Sequence, residues 1–123
     1  MTMLTEVATV TRRAATPADD EYLRNLFAES RDDLWVLPAD VRTVLLDAQY
    51  RARRHQLEAA HPDASYEIVI ADGVEAGLLI LDRGEDGVDV VQLAIARNFR
   101  GLGMAGSVLR AVTGGAESRP VTR

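Results

Sequence analysis

The chain has 123 residues, a length that suits one hydrophobic core, and we therefore predict a single domain over residues 1–123. Its net charge of -5 argues against a general nucleic-acid-binding protein, and the lack of cysteine excludes disulfides and thiolate metal sites. No apolar run is long enough to span a membrane and the N-terminus lacks the layout of a signal peptide, so we expect a cytoplasmic protein.

The first predicted elements are a strand and a helix. Residues 6–14 place Val7, Ala8 and Val10 among polar residues, which predicts a strand. Thr16-Pro17-Ala18-Asp19 then combines a hydroxyl cap, a proline and an acid, the pattern of a helix start. Apolar residues at helical spacing extend this helix to about residue 30.

A loop and a second helix follow. Residues 31–37 show no clear period and hold the only tryptophan, which indicates a loop. Pro38 opens a helix that runs to about Ala60. Its apolar residues fall on one face: Val41, Val44, Leu45, Ala48 and Ala52.

Three strands joined by tight turns come next. Tyr66–Ile70 is apolar on both faces, which suits a central strand covered by helices on each side. Asp72-Gly73 is a strong hairpin signal, and Leu78–Leu81 is the returning strand, with Gly77 as a bulge or twist point. A second glycine turn leads to a fourth strand, Val88–Ile95. With one more helix after it, the order β-α-α-β-β-β-α predicts an α/β layered fold with a mostly antiparallel sheet.

The most informative stretch is Arg100-Gly101-Leu102-Gly103-Met104-Ala105-Gly106, which lies between the fourth strand and a helix from Ser107 that stops at Gly114-Gly115. Glycines permit unusual backbone dihedrals and leave room for a ligand, and the first amides of a helix have no internal partner. Arg100 adds a fixed charge with a forked set of donors. The stretch therefore predicts a diphosphate-binding turn.

Two other interpretations of the glycines stay open. Gly101–Gly106 also satisfies the GxGxxG pattern of dinucleotide-binding folds. That pattern belongs after the first strand of a parallel βαβ unit, with an acidic residue about 20 positions later, whereas here it comes late in the chain. The glycines could also serve only the close packing of a turn.

Arg100 to Ala105 matches the Q/R-x-x-G-x-G/A motif of the GNAT superfamily of acyl-CoA N-acyltransferases, and the chain resembles this family. Leu93-Ala94-Ile95 resembles the family's Leu-Ala-Val strand end, and the order of elements agrees over nearly the whole chain. Family members usually continue through a fifth strand, a further helix and two closing strands. Arg119–Arg123 resembles only the beginning of that fifth strand, so we expect a C-terminally shortened GNAT-like fold with helices on both faces of the sheet.

The resemblance implies an N-acetyltransferase that moves an acetyl group from acetyl-CoA to a small-molecule or peptide amine. It places acetyl-CoA at Leu93, Ala94, Ile95 and the stretch from Arg100 to Gly106. By the same resemblance, the Leu93 amide faces the thioester oxygen and Ile95 pairs with pantetheine. The missing segment of the family commonly carries a tyrosine that protonates the departing thiolate. The alternative is therefore a non-catalytic module that binds CoA or a protein partner.

Asp89 is the candidate catalytic base, because some GNAT enzymes carry an acid four residues before the position of Leu93. Even spacing along a strand would put Asp89, Val91, Leu93 and Ile95 on one face. The alternative is that Asp89 follows a turn and is simply solvated.

Three further expectations concern ligands and partners. Asp32, Asp33 and Trp35 lie in the loop that often shapes the acceptor pocket in this family, where they would suit a cationic amine. His55 and His61 have no partners at metal-ligand spacing, so we expect no metal. The fourth strand would be a long apolar edge, which native proteins cover, and we therefore expect a homo-oligomer.

Overall fold

The computed structural model describes residues 9–113, which form two compact units. One unit holds the described residues of Met1–Ala15 and Ala64–Arg123, and the other holds Thr16–Asp63; we call them the sheet unit and the helical unit. The single domain over residues 1–123 stays a prediction. The predicted helix stop at Gly114-Gly115 and the start of a fifth strand at Arg119–Arg123 lie outside the described residues.

The sheet unit contains four antiparallel strands in the order β1-β2-β3-β4. Their bounds are β1 Val10–Ala14, β2 Ser65–Ala71, β3 Val74–Gly84 and β4 Gly87–Ile95. Within the described part of the chain, β1 and β4 are therefore the two edges. The predicted α/β class, the element order and the antiparallel sheet are confirmed; the placement of helices on both sheet faces stays a prediction.

The core of the sheet unit is built by β2 and β3, whose side chains alternate between the two sheet faces. Both faces are buried, as the run of apolar residues predicts for central strands. The largest fully buried strand side chains are Ile68, Val69, Leu79, Ile80, Leu81 and Val88. Full burial of one such side chain contributes about 1.5–3 kcal/mol, so these six dominate the stability of the sheet.

Two β-bulges interrupt the ladders. Ala76 is the extra residue of β3 against β2, and Val91 is the extra residue of β4 against β3. Gly77 follows the first bulge, and a Cβ added there would lie 2.3 Å from the carbonyl oxygen of Ala94. The predicted irregularity beside Gly77 is confirmed. The close main-chain approach explains why position 77 is a glycine, because it leaves no room for a side chain.

The chain leaves β4 through a short 3-10 turn, Arg97–Phe99, and enters helix α3, Met104–Thr113. Three side chains one helical turn apart, Met104, Val108 and Val112, are buried, and α3 contacts β4 and β1. The helix begins three residues before the predicted start at Ser107. A glycine at position 106 is tolerated there because the first turn has few internal bonds to lose.

The helical unit contains α1, Asp20–Glu29, and α2, Ala39–Ala60. A 3-10 turn at Pro17–Asp19 precedes α1, and the Thr16 amide donates to the Asp19 carboxylate at 2.8 Å, so the predicted helix start is confirmed. The predicted loop between the helices is largely a second 3-10 helix, Asp32–Val36. Its five residues make fewer than two turns of a 3-10 helix, which is too short for a repeating sequence pattern.

Helix α2 buries Tyr50 and Leu57. The Tyr50 ring meets Phe27 of α1 edge to face, with 5.7 Å between ring centroids, and the guanidinium of Arg24 lies 4.8 Å from the Tyr50 ring centre. The apolar face noted in the sequence is a different one: Val41 and Val44 on it are exposed.

Candidate functional site

The last residues of β4 present main-chain groups at the edge of the sheet. The Ala96 amide donates to the Ala76 carbonyl at 2.7 Å, on the side of β3. Successive residues of an antiparallel strand direct their amide and carbonyl groups alternately to one neighbour and the other. The main-chain groups of Ala94 therefore point to β3, and those of Leu93 and Ile95 point to the outer edge.

The backbone of the turn between β4 and α3 has the unusual dihedral angles that its glycines predicted. Gly101 and Gly103 have φ of 82° and 77°, a region that side chains disfavour. Both are exposed, and a Cβ added at either would meet no other described atom within 4 Å. The glycines are therefore required by the backbone conformation, and the space above them is open for a ligand.

The start of α3 supplies hydrogen-bond donors to that space. The first intrahelical bond runs from the Ser107 amide to the Gly103 carbonyl at 3.1 Å. The amides of Met104, Ala105 and Gly106 consequently have no acceptor within the helix. These donors and the helix dipole, worth about half a positive charge, favour a negative charge at this end of the helix.

Two guanidinium groups lie beside this end of the helix. Arg100 Nε donates to the Ile95 carbonyl at 2.9 Å, which ties the turn to the end of β4. Arg110 folds back along α3, and its Nη1 would lie 3.1 Å from a Cβ added at Gly106. Arg110 was not among the residues predicted from the sequence; its spacing of four residues from Gly106 was the available signal.

Asp89 does not lie on the face shared by Leu93 and Ile95, and the prediction of one common face is wrong. The extra residue Val91 shifts the alternation, so Asp89 stands opposite Asp82 of β3 on the other face of the sheet. Asp89 is half-buried, and its Oδ1 atom is buried. Three residue steps of β3, roughly 10 Å, separate the partners of Asp89 and Leu93.

The helical unit has a groove of about 560 Å³ between α1 and α2. Its charged lining is already paired: Arg24 Nε binds Asp20 at 2.8 Å, Arg24 also donates to Asp47, and Arg51 meets Asp47 at 2.7 Å. The hydrogen bond from Arg24 holds the pKa of Asp47 below its usual value. The groove therefore combines an apolar floor with a compensated ionic rim. Its lining residues are Arg24, Asn25, Ala28, Thr43, Val44, Leu46, Asp47, Ala48, Tyr50 and Arg51.

Two of the three side chains expected to hold a cationic amine, Asp33 and Trp35, are engaged by arginines of the chain itself. Arg31 donates to both carboxylate oxygens of Asp33, at 3.1 and 3.0 Å, and this pairing lowers the pKa of Asp33. The guanidinium of Arg42 lies 4.2 Å from the centre of the Trp35 ring. A cationic amine would have to displace these arginines.

Residues 9–113 contain no cluster of three or more His, Asp or Glu side chains that could hold a metal ion. Over the same range, none of the helices has the length and apolar character needed to cross a membrane.

Comparison with solved structures identifies the fold. The chain superimposes on an acetyltransferase from Thermus thermophilus with a TM-score of 0.58 and 18% identity, over 94% of this chain and 75% of that one. It also matches the PaiA N-acetyltransferase from Thermoplasma acidophilum in complex with coenzyme A. The TM-score is 0.55 and the identity 13%, over 85% of this chain and 69% of that one. A GNAT-family acetyltransferase from Staphylococcus aureus matches with a TM-score of 0.51 and 12% identity, over 86% of this chain and 65% of that one.

These similarities show that the protein has the α/β fold of the GNAT acetyltransferases, as its motif and element order indicated. The chain spans about two thirds to three quarters of the length of these three structures. No protein-family model matches the sequence, and no curated protein gives a significant match.

Proposed function

We propose that the protein binds acetyl-CoA and transfers its acetyl group to an amine of a small molecule or peptide. The observation that carries this proposal is the turn at Gly101 and Gly103, whose positive φ angles place open space directly before the unpaired amides of α3. The fold supports the choice of cofactor, because it is shared with acetyltransferases, one of them in complex with coenzyme A.

In this proposal the diphosphate of acetyl-CoA accepts hydrogen bonds from the amides of Met104, Ala105 and Gly106. The exposed guanidinium of Arg100 contributes charge, while its Nε bond to Ile95 fixes its position relative to the strand. The pantetheine arm then runs along the outer edge of β4, where the Leu93 and Ile95 amides point. Leu102 and Ala94 complete the cofactor-binding set.

The reaction forms one bond and breaks one. The neutral amine nitrogen attacks the thioester carbonyl carbon, and the resulting oxyanion is stabilised by the Leu93 amide. The carbon–sulfur bond then breaks, and CoA leaves as a thiolate, which takes a proton from water. The amine loses one proton overall, and Asp89 is the candidate acceptor. Because Asp89 lies roughly 10 Å from Leu93 along the strands and on the other sheet face, the proton would have to pass along a chain of several water molecules.

The second candidate function is a CoA-binding module without turnover. The position of Asp89 favours it, since a side chain on the opposite sheet face from Leu93 is poorly placed to accept a proton from an amine at the Leu93 amide. Both candidates use the same turn for the diphosphate. They differ only in whether bound acetyl-CoA is consumed.

Calorimetry with acetyl-CoA, CoA and NADH, followed by an assay of thiol release over a panel of amines, tests both candidates. We expect binding of acetyl-CoA and CoA in preference to NADH, and amine-dependent release of thiol if the protein is an enzyme. Binding without release would support the module. Preference for NADH, or no binding of CoA, would contradict both.

A cytoplasmic location and a homo-oligomeric state also stay proposals. The sequence suggested β4 as the contact between copies, because it is an edge strand within the described residues. A second copy paired along β4 would occupy the main-chain groups of Leu93 and Ile95 that the pantetheine arm requires. An oligomer that leaves the cofactor site open therefore needs a different surface.

A further inference from the structure

Gly106 of helix α3 differs from the glycines of the preceding turn. Gly101 and Gly103 have positive φ, whereas Gly106 lies within the helix, where any residue can adopt the backbone conformation. A glycine inside a helix is destabilising relative to alanine. What Gly106 provides is therefore not a special dihedral angle but free space on the flank of α3.

The guanidinium group of Arg110 occupies that space. Its Nη1, Cζ and Nη2 atoms lie 3.1, 3.8 and 4.0 Å from a Cβ added at Gly106, so the group rests against the helix one turn before Arg110 itself. A side chain at position 106 would compete with the guanidinium for this place. The glycine thus allows a positive charge to lie close to the first turn of α3, where the unpaired amides also favour an anion.

The charge of Arg110 is not neutralised by the surrounding protein. Within residues 9–113 Arg110 forms no hydrogen bond and no ion pair, whereas Arg100 donates to the Ile95 carbonyl and Arg24 is paired with two aspartates. Arg110 is also exposed. Its forked set of donors matches the oxygens of a phosphate group, so the side chain is available to an anionic group of a ligand.

We infer that Arg110 binds the 3′-phosphate on the ribose of CoA, an inference that rests on the proposed binding of acetyl-CoA at the turn. The diphosphate would take the amides at the end of the helix together with Arg100. Gly106 lies three residues after Gly103, which places the Arg110 guanidinium about 4.5 Å further along the helix and on its flank. A second anionic group of the same ligand is therefore the better partner for Arg110.

The chemistry of CoA supplies such a group. Its 3′-phosphate is a monoester attached to the ribose that carries the diphosphate, so it stays near the end of the helix when the diphosphate is bound. A phosphate monoester has a charge of about -1.5 to -2 at neutral pH, more than either phosphorus of the diphosphate. An arginine without a protein partner therefore gains most from this group, and Arg110 would favour CoA over ligands that lack it.

Calorimetric titrations with CoA and 3′-dephospho-CoA test the inference. We expect the wild type to bind CoA about tenfold or more tightly than 3′-dephospho-CoA. In Arg110→Ala the affinity for CoA should fall about tenfold or more and that for 3′-dephospho-CoA should not change, so the preference disappears. Arg110→Gln removes the charge and keeps part of the aliphatic stem, and it repeats the test if circular dichroism shows that Arg110→Ala is not folded.

Arg53→Ala is the matched control, because Arg53 is an exposed arginine of α2 and its loss changes the net charge equally. This variant should keep the wild-type preference for CoA. Equal affinity of the wild type for both ligands would overturn the inference and leave the proposed binding of CoA in place. The inference would also fail if Arg110→Ala weakened both ligands equally, or if Arg53→Ala lost the preference. Binding of neither ligand by the wild type would contradict the proposed function itself.

Discussion

The local geometry of the sheet unit and that of the helical unit are set by different parts of the chain. In the sheet unit the main chain sets the geometry, through the bulge at Val91, the close approach at Gly77 and the positive φ of Gly101 and Gly103. In the helical unit, side chains do so, through the ionic contacts of Arg24 and the ring contacts of Tyr50. We therefore expect the sheet unit to be intolerant of substitution at particular glycines, and the helical unit to respond to pH and to changes of charge.

We expect the largest loss of stability from adding one methyl group at Gly77. In Gly77→Ala the new Cβ would lie 2.3 Å from the Ala94 carbonyl oxygen, so β3 and β4 must separate. We expect a loss of about 3 kcal/mol or more in the free energy of unfolding, measured by urea denaturation. Gly84→Ala in the same strand meets no described atom within 4 Å and should change stability by less than about 0.5 kcal/mol. Similar losses in the two variants would show that the close approach is not required.

The next prediction concerns the rate of thiol release after substitution of Asp89. If the protein is an enzyme and Asp89 accepts the amine proton, Asp89→Asn lowers thiol release by about 10²–10⁴-fold, with acetyl-CoA affinity unchanged. The loss should shrink at high pH, because more of the amine is already neutral there. An active variant with full turnover at neutral pH would leave Asp89 as a structural residue of the β3–β4 hairpin.

Two matched valine substitutions compare the stability contributed by a buried position in α3 with that of an exposed position in α2. Val108 of α3 is 1% exposed, whereas Val44 of α2 is 67% exposed. Val108→Ala should cost about 2 kcal/mol in the free energy of unfolding, since two methyl groups leave a packed core. Val44→Ala should change the stability of the monomer by less than about 0.5 kcal/mol. Urea titrations of both variants at low protein concentration measure the difference, and equal costs would contradict the assignment of an outer and an inner apolar face.

The smallest expected effect is a loss of stability at acid pH, caused by an ion pair of the helical unit. Arg24 lowers the pKa of Asp47 in the folded chain, so the carboxylate contributes stability that is complete above about pH 5. That contribution is lost as the pH falls below about 4 and through the lowered folded-state pKa, because the proton then competes with the ion pair. The urea midpoint of the wild type should fall more steeply than that of Asp47→Asn between about pH 5 and pH 3. Parallel curves would show that the ion pair adds no stability.

The turn at Gly101 and Gly103 could be predicted because its signals are local. A glycine with positive φ, an arginine beside it and a helix start after it all lie within seven residues, and no distant contact changes their meaning. The element order was predictable for the same reason. Hairpin turns and caps such as Asp72-Gly73 and Thr16-Pro17 act on their own neighbours.

The position of Asp89 and the exposed face of α2 could not be predicted, because both depend on partners far along the chain. No residue type marks Val91 as a bulge; the shift appears only when β4 pairs with β3. Helical spacing shows that Val41 and Val44 share a face, but not which side of the helix the core takes. In α2 the large residues Tyr50 and Leu57 occupy the core side, and the smaller valines and alanines remain outside.

Two glutamate variants test the proposal that acetyl-CoA binds at the turn before α3. Gly103 and Gly73 have similar backbones, with φ of 77° and 85°, and a Cβ at either meets no described atom within 4 Å. Gly103→Glu and Gly73→Glu therefore add the same charge at a similarly disfavoured φ, but only the first places the glutamate where the diphosphate would lie. Calorimetric titration with acetyl-CoA should show an affinity loss of about 100-fold or more in Gly103→Glu and wild-type affinity in Gly73→Glu. Wild-type affinity in Gly103→Glu would show that acetyl-CoA does not bind at this turn.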